Sequence, residues 1–140
     1  MKSVVNLGIG VLLFLFTIEI VQAIETKSIR EEELRQAVTS AVYTALEMSI
    51  TEPEFLEPDV SQQEEEKLNK EMKECFLSSL KTLIKSDSDI KITIRKADYK
   101  NGILDVYAEA EFPYSNGKTG HISYRKTGII TRYENSDDAY

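Results

Sequence analysis

Residues 90–125 read IKITIRKADYKNGILDVYAEAEFPYSNGKTGHISYR, and this stretch decides the fold. Ile90, Ile92 and Ile94 alternate with Lys91, Thr93 and Arg95. Leu104, Val106, Ala108, Ala110 and Phe112 alternate with Asp105, Tyr107, Glu109 and Glu111, and Ile122 and Tyr124 with His121, Ser123 and Arg125. A period of two is that of strands with one buried and one wet face. Asn101-Gly102 and Asn116-Gly117 separate the runs and signal hairpins. Register follows from parity. A two-residue Asn-Gly loop would set Ala108 opposite Arg95 and mix the faces. A three-residue loop, Lys100-Asn101-Gly102, pairs Ile94 with Ala108, Ile92 with Ala110 and Ile90 with Phe112. The same loop at residues 115–117 pairs Ala110 with Ile122 and Ala108 with Tyr124. On the outer face Lys91 then opposes Glu111, Glu111 opposes His121, and Tyr107 lies between Arg95 and Arg125. Such cross-strand pairs are each worth tenths of a kcal/mol to about 1 kcal/mol. Ile129 and Ile130, after Gly128, are expected to extend the last strand past a kink or bulge.

Working towards the N-terminus, the period becomes helical. Ser61 followed by Glu64 has the form of a capping box, and acids early (Glu64, Glu65, Glu66) with bases late (Lys81, Lys85) suit the helix dipole. Leu68, Met72, Phe76, Leu80, Leu83 and Ile84 form one apolar face, with Cys75 and Leu77 at its margins. Before it, residues 51–61 (TEPEFLEPDVS) carry Pro53 and Pro58 and make a connection, with Phe55 and Leu56 available to cap the core. Upstream again, Leu34, Val38, Ala41, Ala45 and Met48 step by four and three, widened by Val42 and Leu46. The predicted class is α+β: a transmembrane helix continuing into an amphipathic helix, a second helix, then a three-stranded antiparallel meander covered on one face.

Residues 4–24 form an apolar run interrupted by Glu19 alone among the charged types, about 31 Å long as a helix and enough to span a hydrocarbon core. Lys2 with Val21-Gln22-Ala23 also gives this segment the layout of a signal peptide cleaved after Ala23. The absence of Gly or Pro between Gly10 and Pro53 favours an anchor that continues as one helix. Residues 1–24 are thus assigned to the anchor or signal peptide, 25–33 to a solvated stalk, 34–133 to an extracytoplasmic head and 134–140 (ENSDDAY) to a polar tail. Lys2 and the amino terminus place the head outside by the positive-inside rule, giving a single-pass protein of the cell membrane.

The 140 residues suffice for one domain, and 24 acids against 17 bases give a net charge of -7. Lys2 and Glu19 cancel, so the whole excess lies on residues 25–140. Such a balance argues against nucleic acid as a partner. One Cys and one His exclude an intramolecular disulfide and the usual zinc sites. Glu109 and Glu111 share a strand face and could act as an acid/base pair, but Lys91, His121 and Ser123 beside them indicate surface pairing. Cys75 needs a nearby base to act as a nucleophile, and the sole His is assigned to a solvent-facing hairpin. The runs 31–33 and 64–66 of Glu lack the alternation and Gly of a calcium loop. With no phosphate-binding Gly loop and no G-x-S-x-G, neither catalysis nor a cofactor is expected. Glu19 is the chief candidate, since a carboxylate in an apolar span is a functional site by default. Its plainer role is to mark the membrane surface. Its sharper one is an assembly contact with a basic group on a neighbouring anchor.

Phe16-Thr17-Ile18-Glu19 in an apolar helix, running into an amphipathic helix and then an α/β head, resembles the pilin and pseudopilin plan. Residues 17–47, TIEIVQAIETKSIREEELRQAVTSAVYTALE, are similar in particular to TadE-like pseudopilins, with an acid near the end of the anchor and an Ala-rich helix after it. The resemblance covers residues 4–50. Pilins cut by prepilin peptidase carry Gly five residues before this Glu, where Phe14 stands here, so no processing site is carried over. The resemblance implies an accessory or minor subunit of a surface appendage, secretion or conjugation apparatus, with the membrane and envelope protein subunits as partners. The alternatives are a secreted binding module for a small ligand or a protein, and a hydrolase with an unrecognised site.

Overall fold

A computed structural model describes residues 1–51 and 61–130. The expected connection with Phe55 and Leu56, and the polar tail 134–140, lie outside the described residues. The chain runs α1 (Lys2–Thr51), α2 (Gln62–Leu83), β1 (Asp89–Asp98), β2 (Ile103–Pro113) and β3 (Thr119–Ile129). The strands form an antiparallel sheet in the order β1-β2-β3, and the class is α+β. Helix α1 is a single element of 50 residues, about 75 Å long. Nothing after Gly10 interrupts its hydrogen-bond ladder before Pro53.

Only the C-terminal part of α1 is packed. Leu34, Ala37, Val38, Ala41, Val42, Ala45 and Leu46 are buried against α2 and the inner face of the sheet. Ala37 joins the stripe at helical spacing, and Met48 is only half-buried. On α2, Leu68, Met72, Phe76 and Leu80 recur every four residues and are all buried. The capping box forms: Ser61 Oγ accepts the Glu64 amide and Glu64 accepts the Ser61 amide at 3.1 Å. Leu83, expected on the apolar face, is exposed instead, because the helix ends there and Ile84 turns extended.

The β2–β3 hairpin has the expected register, with Ala110 opposite Ile122, Ala108 opposite Tyr124 and Glu111 opposite His121. Gly117 takes the left-handed conformation at φ 79°. The β1–β2 hairpin differs by two residues: Ile94 faces Val106, Ile92 faces Ala108 and Ile90 faces Ala110. Lys91 accordingly meets Glu109 rather than Glu111, and Tyr107 lies between Thr93 and Arg125. The cause is Tyr99. It is buried, its amide donates to Asn69 Oδ1 at 2.8 Å, and its hydroxyl donates to the Met48 carbonyl at 3.1 Å. Anchored this way, it joins the turn, which becomes four residues long between Asp98 and Ile103. A four-residue turn alone would invert one strand. A bulge between Ile94 and Lys96 restores the parity, so Ile90, Ile92 and Ile94 face inward before it and Ala97 and Tyr99 after it.

The bulge expected near Gly128 is absent, for the β2–β3 ladder runs unbroken from Ile103–Ile129 to Pro113–Thr119. Gly128 answers a packing demand instead. A Cβ there would come within 2.5 Å of both Val42 and Leu46, so the missing side chain lets α1 settle on β3.

Candidate functional site

Among the described residues, four places on this fold hold groups that could do chemistry or make contacts. The first is the N-terminal part of α1. Residues 1–22 are exposed, Phe14 at 65%, Phe16 at 60% and Ile20 at 59% among them. The helix is long and apolar enough here to cross a membrane, and none of that stretch is buried; a signal sequence has the same properties. Exposed apolar surface on this scale is not tolerated in water and demands cover. Glu19 sits within it, flanked by Ile18 and Ile20 and packed on no part of the head. Two residues earlier, Thr17 returns its hydroxyl to the Leu13 carbonyl at 2.8 Å, the usual way for an apolar helix to satisfy a hydroxyl.

The second is the outer face of the sheet, where Asp89, Lys91, Tyr107, Glu109, Glu111 and His121 line a shallow open depression. His121 Nδ1 stands 3.3 Å from Glu111 Oε1, and Tyr107 donates to Glu109 at 3.2 Å. Both partners of the His–Glu pair are well exposed, so the pair is screened and weak. Cys75 lies across the sheet, half-buried beside the core, which separates the only thiol from the only imidazole. Further along this face is a group that alternation alone did not single out. Asp105 accepts two hydrogen bonds from Arg125, at 3.1 and 2.7 Å, and a third from Thr127 at 3.0 Å. Its carboxyl is held below the usual range by Arg125 against the opposing effect of burial, with help from Thr127. Satisfied on both oxygens, it is a structural clasp between β2 and β3.

The third is the base of the head, where α1 meets the α2–β1 connection. Glu33 accepts the amides of Lys85 and Ser86 at 3.0 and 3.1 Å. Burial pushes Glu33 up, but Ser86, those two amides and the charge of Arg30 together bring it below the ordinary glutamate range. Arg30 pairs with Asp87 and lies 5.9 Å from the centre of the Phe112 ring. Glu32 is held at about 2 by Arg35 and Gln36. The two Glu runs are therefore engaged separately: Glu32 and Glu33 with different partners, and Glu64 with the cap of α2. Among the described residues no three His, Cys, Asp or Glu side chains converge where they could hold a metal. The fourth place is an apolar groove of about 390 Å³ that opens between α2 and β1, lined by Leu77, Leu80, Ile84, Ile90 and Ile92. Neither family models, curated proteins nor solved structures give a match to this chain.

Proposed function

We propose that the protein is a single-pass, membrane-anchored structural or interaction subunit. Its α+β head is held outside the cytoplasm, and it serves as a pilin-like accessory or minor component of an envelope apparatus. The observation that supports this reading is the continuity of α1. The exposed apolar segment and the buried core stripe belong to one unbroken helix, so an anchor in the bilayer would be mechanically joined to the head. Burying about 20 apolar residues in lipid makes such an anchor effectively permanent. Function is then assembly: anchors pack laterally, Glu19 orients them, and the acidic head meets a partner. The test is the intact mass of the mature chain together with carbonate extraction of membranes. Retention of residues 1–23 and partition with the membrane are expected. A mature chain beginning at Ile24 and released by carbonate would replace this reading with the secreted binding module, for which the groove between α2 and β1 is the natural site.

A further inference from the structure

The level of the head against the apolar part of α1 can be worked out from contacts along the helix. High on the head, Gly128 lies against Val42 and Leu46, and Thr39 Oγ1 is 3.2 Å from the Tyr124 hydroxyl. Low on the head, the Arg30 guanidinium lies over Phe112, which stands opposite Gly120 in the ladder. From the middle of the Val42–Leu46 turn down to Arg30 is about 21 Å of helix. From Gly128 down to Gly120 is about 26 Å of strand. The hairpin thus descends about 0.8 Å along the helix axis for each ångström of strand. Two further residues of strand, Phe112 to Tyr114, descend about 5 Å, equal to about three to four residues of α1 below Arg30, and the turn 115–117 lies beyond them. That level is Thr26 and Lys27, within a turn of Ile24, where the apolar segment ends. If the Arg30 side chain reaches towards the N-terminus, as long side chains on helices do, the turn lies lower still.

We infer that the β2–β3 turn, residues 114–118, rests in the headgroup layer of the bilayer that α1 spans, giving the head a second membrane contact. The inference rests on the anchor reading above. The chemistry of the turn suits that layer. It exposes Ser115, Asn116 and Lys118, neutral polar and cationic groups that the interface accepts, with Tyr114 half-buried against Phe112 behind them. The nearest carboxylate on the hairpin, Glu111, stands five residues back from Asn116. The Glu64–Glu66 end of α2 points away from the bilayer, whereas at its other end Lys81, and Lys85 just beyond it, stand beside Glu33 and Asp87, both of which are engaged within the head.

The test uses the full chain with Cys75→Ala, carrying one fluorophore-labelled cysteine at a time from Ser115→Cys, Lys100→Cys or Leu12→Cys. It is reconstituted into phosphatidylcholine/phosphatidylglycerol vesicles containing spin-labelled lipid. Ser115 and Lys100 are both exposed, one in each hairpin turn, at opposite ends of the sheet. Headgroup-labelled lipid is expected to quench the Ser115 probe severalfold more than the Lys100 probe, with chain-labelled lipid quenching the Leu12 probe. Equal quenching at Ser115 and Lys100, while Leu12 is quenched from the chains, overturns the inference and leaves the anchor standing. A Leu12 probe that escapes chain quenching overturns the anchor, and the inference with it.

Discussion

Gly128 occupies a position on β3 where Val42 and Leu46 leave no room for a side chain. Gly128→Ala should therefore separate α1 from the sheet and lower stability by about 1–3 kcal/mol, the usual cost of overpacking, read as a fall in the urea midpoint. Asp105 offers a pH-dependent counterpart. Its folded pKa is depressed, so its stabilisation is complete above the unfolded value near 4 and disappears as pH falls through the folded one. Asp105→Asn should cost about 1 kcal/mol at pH 7, a figure reduced because Arg125 is half exposed. Below about pH 4 the gap should close as the parent loses the same clasp. Urea midpoints of both proteins across pH 3–7 check this. Neither residue's role could be read from alternation alone. Period two places Asp105 on the wet face without showing that Arg125 and Thr127 enclose it, and a Gly near a strand end looks the same whether it permits a bulge or a close approach.

The elements themselves were legible to different degrees. Helix α1 follows from the long interval without Pro or Gly, and α2 from Ser61, Glu64 and the fourfold spacing of Leu68, Met72, Phe76 and Leu80. The second hairpin follows from Gly117, which fixes a short turn. The first was misplaced by two residues because its turn is determined by a long-range partner, the burial of Tyr99 between Asn69 and Met48, rather than by its own residues. A local trace of it exists: inward positions are even up to Ile94 and odd at Ala97 and Tyr99, a change of phase that a bulge must absorb. Arg95 is the extra residue. Deleting it should force one side of β1 inside out and abolish cooperative unfolding of the head. Arg95→Ala, which keeps the backbone count, should stay within about 0.5 kcal/mol of the parent. Thermal unfolding followed by near-ultraviolet circular dichroism separates the two outcomes.

Across the whole molecule, the head buries its apolar stripe whereas residues 1–22 leave theirs exposed, and Glu19 lies near the end of that exposed segment. Under the proposed assembly role, Glu19→Ala should leave the thermal unfolding of the head unchanged while reducing crosslinking between neighbouring anchors in membranes. Undiminished crosslinking would reduce Glu19 to a marker of the membrane surface. The fold class was accessible from pattern because each layer repeats its own period. The assembly role rests on surface that the chain leaves uncovered, and pattern alone cannot say what covers it.

The unbroken course of α1 also sets the bearing of the head, because a helix turns by about 100° and rises about 1.5 Å with every residue. Whatever face the apolar segment presents to a neighbour dictates the compass direction in which the sheet points. Two residues inserted between Ile24 and Arg30 would swing the head by about 200° for a lift of only about 3 Å, whereas seven would raise it by about 10 Å and return it nearly to its original heading. Orientation and height can thus be varied separately in this chain by the length of one short polar segment.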